Sequence, residues 1–196
     1  MKLSGETLLH APVDRVYAAL NDPAVLVRTI PGCERLERVG ADAYRMVVSA
    51  GVAAIKGTYV GDVRLTNQQA PHSFVLKASG SGAPGTVSAD VQVRLAVGAD
   101  GTTLLSYDAD AVIGGMVGGV GQRVLSGVAK KTADEFFAAV NDVLAGGGAE
   151  VAAQPAVFTR PVGLPRGGDF TAGVLAGAAA ALLGALVGGW LARRRG

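Results

Sequence analysis

Apolar and polar residues alternate along the first 145 positions in two different periods. Lys2 to His10 predicts a first strand, and Pro12 predicts the start of a helix because proline fits the first helical turn. Asp22-Pro23 interrupts that helix, and a second short helix is expected to run as far as Ile30. The chain therefore begins with one strand and two short helices.

From Glu34 onward the spacing of apolar residues falls to two, which is typical of strands that bury one face. Turn-forming residues separate the alternating stretches, so the pattern indicates an antiparallel meander with one dry face and one solvated face. The alternating stretches cover residues 44–49, 61–66, 74–78, 87–97 and 105–113.

A third period begins at Met116, where apolar residues recur every three to four positions as far as Leu144. This spacing predicts one helix of about 28 residues, or ~40 Å, with an apolar stripe. A single long helix has to pack that stripe on the dry face of the sheet. The expected fold class is α+β, a curved antiparallel sheet around a long C-terminal helix with two short N-terminal helices.

The composition changes after residue 145, and this change divides the chain into four parts. Residues 1–145 form the predicted folded domain, and residues 146–169 are rich in glycine and proline, which predicts a flexible linker. Residues 170–192 contain no charged side chain and predict a membrane anchor helix. Residues 193–196 form a basic C-terminus.

The anchor prediction rests on length, since a helix over 170–192 would span ~34 Å and a hydrocarbon core is ~30 Å thick. Phe170 and Trp190 lie near its ends, where aromatic rings favour the interface. A spanning helix would carry Arg193-Arg194-Arg195 across the membrane, against the positive-inside preference, whereas a helix lying in the interface would keep them near anionic lipids. Both arrangements, and a buried soluble helix, remain open. The expected location is the cytoplasmic face of the membrane.

Composition excludes several classes of protein. The chain of 196 residues is 49% hydrophobic and 17% charged, which argues against disorder. A net charge of +2, without a basic run before the last four residues, argues against nucleic-acid binding. Cys33 is the single cysteine, so an internal disulfide and a cysteine-built metal site are excluded.

Candidate catalytic groups are sparse. His10 and His72 have no second ligand at helical spacing, so we expect no metal site. Asp108 and Asp110 share one face of a strand, but the alternation places them on the solvated side. We therefore expect no catalytic residue and no enzymatic activity.

Residues 114–121 hold five glycines in eight positions just before the predicted long helix. They lack the Lys-Ser/Thr of a phosphate-binding loop, and glycine costs ~1 kcal/mol per residue inside a helix. Two interpretations remain open: a strand-to-helix turn packed closely on the sheet, or missing side chains that leave room for a ligand. The aromatic content of 5% favours the second, since few large side chains are available to fill the space.

The candidate ligand-binding residues are those expected to face inward between sheet and helix, although each could also be ordinary core. Gly118 and Gly119 are expected to provide space, and Tyr107 could donate a hydrogen bond to a ligand oxygen. The predicted lining is Met46, Val48, Phe74, Leu76, Val93, Leu105 and Tyr107 from the strands and Met116, Val117, Val120 and Val124 from the helix.

Several short motifs resemble the CoxG family of carbon monoxide dehydrogenase proteins, START-like helix-grip proteins of the wider polyketide cyclase and lipid-transfer (SRPBCC) superfamily. The resemblance covers about residues 1–145, and its most specific parts are Ile30-Pro31-Gly32-Cys33 and Gly121-Gln122-Arg123. The other matching positions are Ala11-Pro12, Val16, Asp22-Pro23, Lys56-Gly57, Gly80, Gly85, Tyr107, Gly114 and Phe136-Phe137.

The resemblance implies a helix-grip fold, a cavity for an apolar ligand, and service to a cytosolic molybdenum carbon monoxide dehydrogenase through membrane recruitment or electron delivery. Our hypothesis is a membrane-tethered carrier that binds a respiratory quinone, such as menaquinone, in a pocket of roughly 300–1,000 Å³. The alternative is a recruitment adaptor without ligand turnover. A cyclase-like enzyme of the same fold is a third possibility, which would need polar groups facing inward.

Overall fold

The structure is a computed structural model that describes residues 1–146 and 157–159. Within these residues the chain forms one antiparallel sheet, three α-helices and two short 3₁₀ turns. The elements in chain order are β1 Lys2–Leu9, α1 Val13–Leu20, α2 Pro23–Thr29, β2 Cys33–Arg38, β3 Ala43–Val52, β4 Ile55–Gln69, β5 Ser73–Gly82, β6 Gly85–Val97, β7 Thr103–Gly115, α3 Gln122–Ala145 and β8 Val157–Thr159.

The sheet has the strand order β1-β7-β6-β5-β4-β3-β2-β8. Strands β2 to β7 follow one another as a meander, and β1 pairs with β7, the last strand of that meander. Helix α3 comes closest to β1, α1 and α2. The predicted α+β architecture of a curved antiparallel sheet with one long helix is therefore confirmed for the domain.

The two short helices occupy the predicted places. Helix α1 follows Pro12 directly, and the Asp22 side chain caps α2 by accepting a hydrogen bond of 2.9 Å from the backbone N–H of Ala24. Pro23 takes the first helical position, where its missing N–H is no loss. Buried residues of both helices, among them Val16 and Val27, join the hydrophobic core.

The long helix begins later than its apolar spacing predicts. Residues Val117–Val120 form a 3₁₀ turn, and α3 itself has 24 residues starting at Gln122. The backbone φ of Gly121 is +94°, a value outside the helical region, so the α-helix cannot extend back through this residue. Met116 to Gly121 therefore connect β7 to α3 and are not part of the helix.

Three residues of the predicted linker form a strand. Val157–Thr159 pairs antiparallel with β2, with Phe158 opposite Leu36, and the Phe158 side chain is buried in the core. The predicted anchor helix over 170–192, the basic C-terminus over 193–196 and most of the predicted linker lie outside the described residues. Within residues 1–146 and 157–159, no helix has both the length and the apolar character needed to cross a membrane.

Candidate functional site

An apolar pocket lies between α3 and the inner face of the sheet, with a cavity of about 150 Å³. Apart from the hydroxyls of Tyr44, Tyr107 and Thr132, the side chains of its wall are aliphatic or phenylalanine. The wall consists of Leu3, Leu20, Leu26, Ile30, Leu36, Tyr44, Met46, Val63, Leu65, Phe74, Leu76, Ala89, Val91, Val93, Leu105, Tyr107, Ala109, Thr132, Ala133, Phe136 and Phe137.

Strand register places the sheet side of this wall in rows. Phe74, Val93 and Tyr107 lie opposite one another on β5, β6 and β7. Two positions along each strand, on the same face, Leu76 pairs with Val91 to continue the wall. The alternation that predicts these strands thus also produces a continuous apolar surface beneath α3.

Aromatic rings are concentrated around the pocket, whose wall holds half of the ten aromatic residues in the chain. The ring centroids of Tyr107 and Phe137 are 5.8 Å apart, and those of Phe136 and Phe137 are 5.2 Å apart. These separations are in the range of favourable aromatic pairs. Such a cluster can receive a planar ring against its faces or edges.

Tyr107 reaches across the edge of the sheet because β1 has a glycine opposite it. A Cβ atom on Gly5 would lie 2.5 Å from the Tyr107 hydroxyl oxygen, so a larger residue would displace the ring. Burial raises the pKa of Tyr107 above its usual value of 10.0, and the negative charge of Asp134 raises it further. The phenol is therefore protonated at neutral pH and can donate a hydrogen bond.

Six of the predicted ligand-binding residues lie in the pocket wall: Met46, Phe74, Leu76, Val93, Leu105 and Tyr107. The structure places the other seven elsewhere. Val48 is fully buried in the core, and Val117 is buried where its N–H donates to the carbonyl of Pro84 at 3.2 Å. Met116 and Val124 are 63% and 45% exposed on the surface, and Val120 is half-buried outside the pocket.

The two predicted space-making glycines also lie outside the wall. A Cβ on Gly118 would come within 2.8 Å of the carbonyl oxygen of Ile113, so this glycine permits close packing against β7. A Cβ on Gly119 would meet nothing within 4 Å. Of the two interpretations of residues 114–121, the structure supports the close strand-to-helix turn. The pocket is covered further along α3, by residues 132–137.

Several wall residues could not be singled out from the sequence. Leu3, Leu26 and Ala133 carry no signal that separates them from ordinary core residues. Phe136 and Phe137 belong to the apolar stripe of the long helix, and a search for large side chains on that stripe would have found them. Thr132 interrupts the stripe with a polar group, and that interruption is the one signal it offers.

The cavity is smaller than the expected 300–1,000 Å³. A dry apolar cavity of about 150 Å³ is known to admit a benzene-sized molecule. The partly buried side chains of Phe136, Phe137 and Leu26 occupy space that a larger ligand would need. In this conformation the pocket fits a ring, and a longer molecule requires α3 or its side chains to shift.

The pocket offers no ligands suited to a metal ion. Over the part of the chain that the structure describes, no three histidine, cysteine, aspartate or glutamate side chains come together in a way that could hold one. Chemistry in this site is therefore confined to apolar contact and hydrogen bonding by three hydroxyls.

Comparison with known families decides where this fold and pocket belong. The sequence profile of CoxG, the carbon monoxide dehydrogenase component of that name, matches residues 5–145. The chain belongs to the CoxG family. A search of curated proteins gave no significant match.

Solved structures support the same assignment. A conserved protein from Geobacillus kaustophilus shares 35% identity with a TM-score of 0.72, covering 74% of this chain and 96% of its own. A START superfamily protein from Mycobacterium smegmatis superposes with a TM-score of 0.58 at 12% identity, covering 74% of this chain and 97% of its own. The second likeness shows the fold alone, and it agrees with the START-like architecture implied by the resemblance.

Proposed function

We propose that this protein is a non-enzymatic carrier of a respiratory quinone, such as menaquinone, for a molybdenum carbon monoxide dehydrogenase. The observation that carries the proposal is an apolar, aromatic-lined pocket with a few hydroxyls in a member of the CoxG family. Quinones combine a planar ring bearing two oxygens with an apolar tail, which is the chemistry that this wall can receive.

The energetics of transfer favour a reversible carrier. Each buried CH₂ is worth ~0.8 kcal/mol, so moving a prenylated quinone from lipid into water is very unfavourable. Moving it from lipid into an apolar pocket is nearly balanced, because the tail stays out of water. A carrier of this kind could take the quinone from the membrane and release it again to an enzyme that does not enter the bilayer.

The size of the cavity limits how the ligand is held. A volume of about 150 Å³ accommodates the quinone ring, and α3 must move away from the sheet to admit prenyl units. Gly119 and Gly121 lie in open space where α3 begins, and they give the backbone the freedom that such a movement requires. The ring would then lie under residues 132–137, beside the aromatic cluster.

The tail supplies the route to the membrane in this proposal. Residues 170–192 tether the domain to the cytoplasmic face, and residues 193–196 contact anionic headgroups if the helix lies in the interface. Deleting residues 170–196 should move the protein from the membrane fraction to the soluble fraction. Undiminished membrane association of the shortened chain would contradict the tether.

The carrier proposal is tested by what the purified full chain contains. The protein is expressed in a bacterium that makes menaquinone, extracted with organic solvent, and the extract is analysed by mass spectrometry. The expected result is roughly one quinone per chain. An Ala133→Leu variant, whose new side chain enters the cavity, is the matched control and should yield little quinone. Equal amounts in both proteins, or none in the wild type, would contradict the proposal.

A recruitment adaptor remains the second candidate, and the small cavity favours it, because the ring-sized space could be a structural void of the domain. An adaptor would hold the dehydrogenase at the membrane and would contain no stoichiometric quinone. A cyclase-like reaction has less support, since the tyrosine hydroxyls are the pocket's ionisable groups and burial keeps Tyr107 protonated by raising its pKa.

A further inference from the structure

The buried polar side chains of the described residues form a small and uniform set. Thr29, Thr103 and Thr132 are each no more than 3% exposed. A buried hydroxyl without a hydrogen-bond partner destabilises a fold, so each of these groups should have one. Comparing the three threonines shows which of them does not.

Two of the threonines are satisfied by backbone carbonyls. The Thr29 hydroxyl donates to the carbonyl of Val25, one turn back in α2, at 3.0 Å. The Thr103 hydroxyl donates to the carbonyl of Ala11 at 2.7 Å. Local backbone acceptors therefore satisfy buried threonines in this protein, in a helix as well as in a strand.

Thr132 departs from this pattern, because its hydroxyl oxygen has no hydrogen-bond partner. It lies in a helix, as Thr29 does, yet it does not make the equivalent bond one turn back. Its side chain lines the pocket, one turn before Phe136 on the same face of α3. The orphaned hydroxyl therefore borders the one place in its surroundings where a ligand could supply a partner.

The other unpartnered buried atom has a different setting. Asn21 keeps one satisfied group, since its side-chain nitrogen donates to the carbonyl of Tyr17 at 2.8 Å, and it ends α1 outside the pocket wall. Thr132 is thus the described residue that combines nearly complete burial, an unmade hydrogen bond and a place in the pocket.

We propose that the Thr132 hydroxyl is the polar anchor of the pocket and donates a hydrogen bond to an oxygen on the ring of the bound ligand. The ligand class is a planar, mostly apolar ring that carries a carbonyl oxygen at the end that enters first. This inference rests on the proposed carrier function and adds to it a residue that distinguishes an oxygenated ring from a plain hydrocarbon.

The test compares two probes of nearly the same shape. Menadione is a methylated naphthoquinone without a prenyl tail, and methylnaphthalene is the same ring system without the oxygens. Both are titrated into the full chain, washed free of bound apolar molecules, by equilibrium dialysis. Thr132→Val keeps the shape of the side chain and removes the hydroxyl, whereas Thr132→Ser keeps the hydroxyl.

The valine variant should lose about tenfold in menadione affinity and keep its affinity for methylnaphthalene. The empty valine variant should also melt about 2–4 °C higher than the wild type, because it no longer buries an unsatisfied hydroxyl. The serine variant should retain the preference for menadione. If the valine variant does not fold, Thr132→Ala measured against Thr132→Ser must show the same selective loss of menadione.

Two results overturn the inference, and they differ in what else they remove. If the wild type binds both probes and the valine variant loses neither or both equally, Thr132 is not the anchor and the carrier function stands. If the wild type binds neither probe, the proposed function fails and this inference fails with it.

Discussion

Two stretches near each other in the chain behave in opposite ways: residues 114–121, which are mostly glycine, and residues 132–137, which include two phenylalanines. The glycine-rich stretch suggests empty space, yet none of its residues borders the pocket. The stretch with large rings covers the cavity. Small side chains here allow the backbone to pack closely, as Gly118 does against Ile113. The cavity forms where α3 stands away from the central strands.

This comparison predicts where ligand binding can be blocked. Ala133→Leu extends a pocket-facing side chain into a cavity of about 150 Å³, so menadione affinity should fall at least tenfold, the cost of overpacking being ~1–3 kcal/mol. Equilibrium dialysis measures the loss, and circular dichroism checks the fold. Gly119→Leu is the matched control, because its side chain would enter open space and binding should not change. Loss of binding in the control would return the ligand to the glycine-rich stretch.

Stability should separate two adjacent glycines. Gly118→Ala should destabilise the domain by about 1–3 kcal/mol, because the new Cβ would lie 2.8 Å from a backbone oxygen that cannot easily move. Gly119→Ala should change the free energy of unfolding by no more than ~0.5 kcal/mol, since nothing lies near it. Urea denaturation of both variants measures the difference. Equal effects would mean that the turn is not closely packed at Gly118.

The aromatic cluster should contribute a smaller share of ligand affinity. Phe137→Leu removes a ring 5.8 Å from that of Tyr107 while keeping an apolar side chain, so menadione affinity should fall about 3–10-fold. Phe158→Leu is the control, because Phe158 is buried in β8 and lies outside the pocket wall. Similar losses in the two variants would show that the rings act through stability and not through contact with the ligand.

The smallest expected effect is a change in alkaline stability. Burial and the charge of Asp134 raise the pKa of Tyr107 in the folded state, so the unfolded chain loses this proton first as pH rises above about 10. The contribution of Tyr107 to stability is present below pH 10 and is lost above it. Tyr107→Phe should therefore lose less stability than the wild type between about pH 8 and pH 10.5 in urea titrations. Identical losses would mean that the folded state does not hold the proton more tightly.

The fold was predictable because both periods of the apolar pattern are long and regular. Strand-like alternation as far as Ile113 and helical spacing as far as Leu144 are sufficient for a sheet covered by one helix. The start of α3 was misplaced because apolar spacing continues through Met116 and Val120, while the φ of Gly121 excludes an α-helix there.

Half of the site was predictable for the same reason, and half was not. Inward strand positions such as Phe74 and Tyr107 follow from alternation alone. The helix positions depend on which turn of α3 crosses the centre of the sheet, and this depends on the packing of α1 and α2 against it, which no local pattern encodes. Thr132 was missed because an unmade hydrogen bond is a property of the folded chain.

The central claim is that a quinone ring binds beneath the middle of α3 and not at its glycine-rich start. Methyl NMR spectra of the full chain titrated with menadione test this most directly. The account predicts that the largest shifts fall on the methyl groups of Ala133, Ala109 and Leu26, with little change at Met116, Val120 and Val124. Shifts confined to the latter three, or none at any of these methyl groups at saturating menadione, would contradict it.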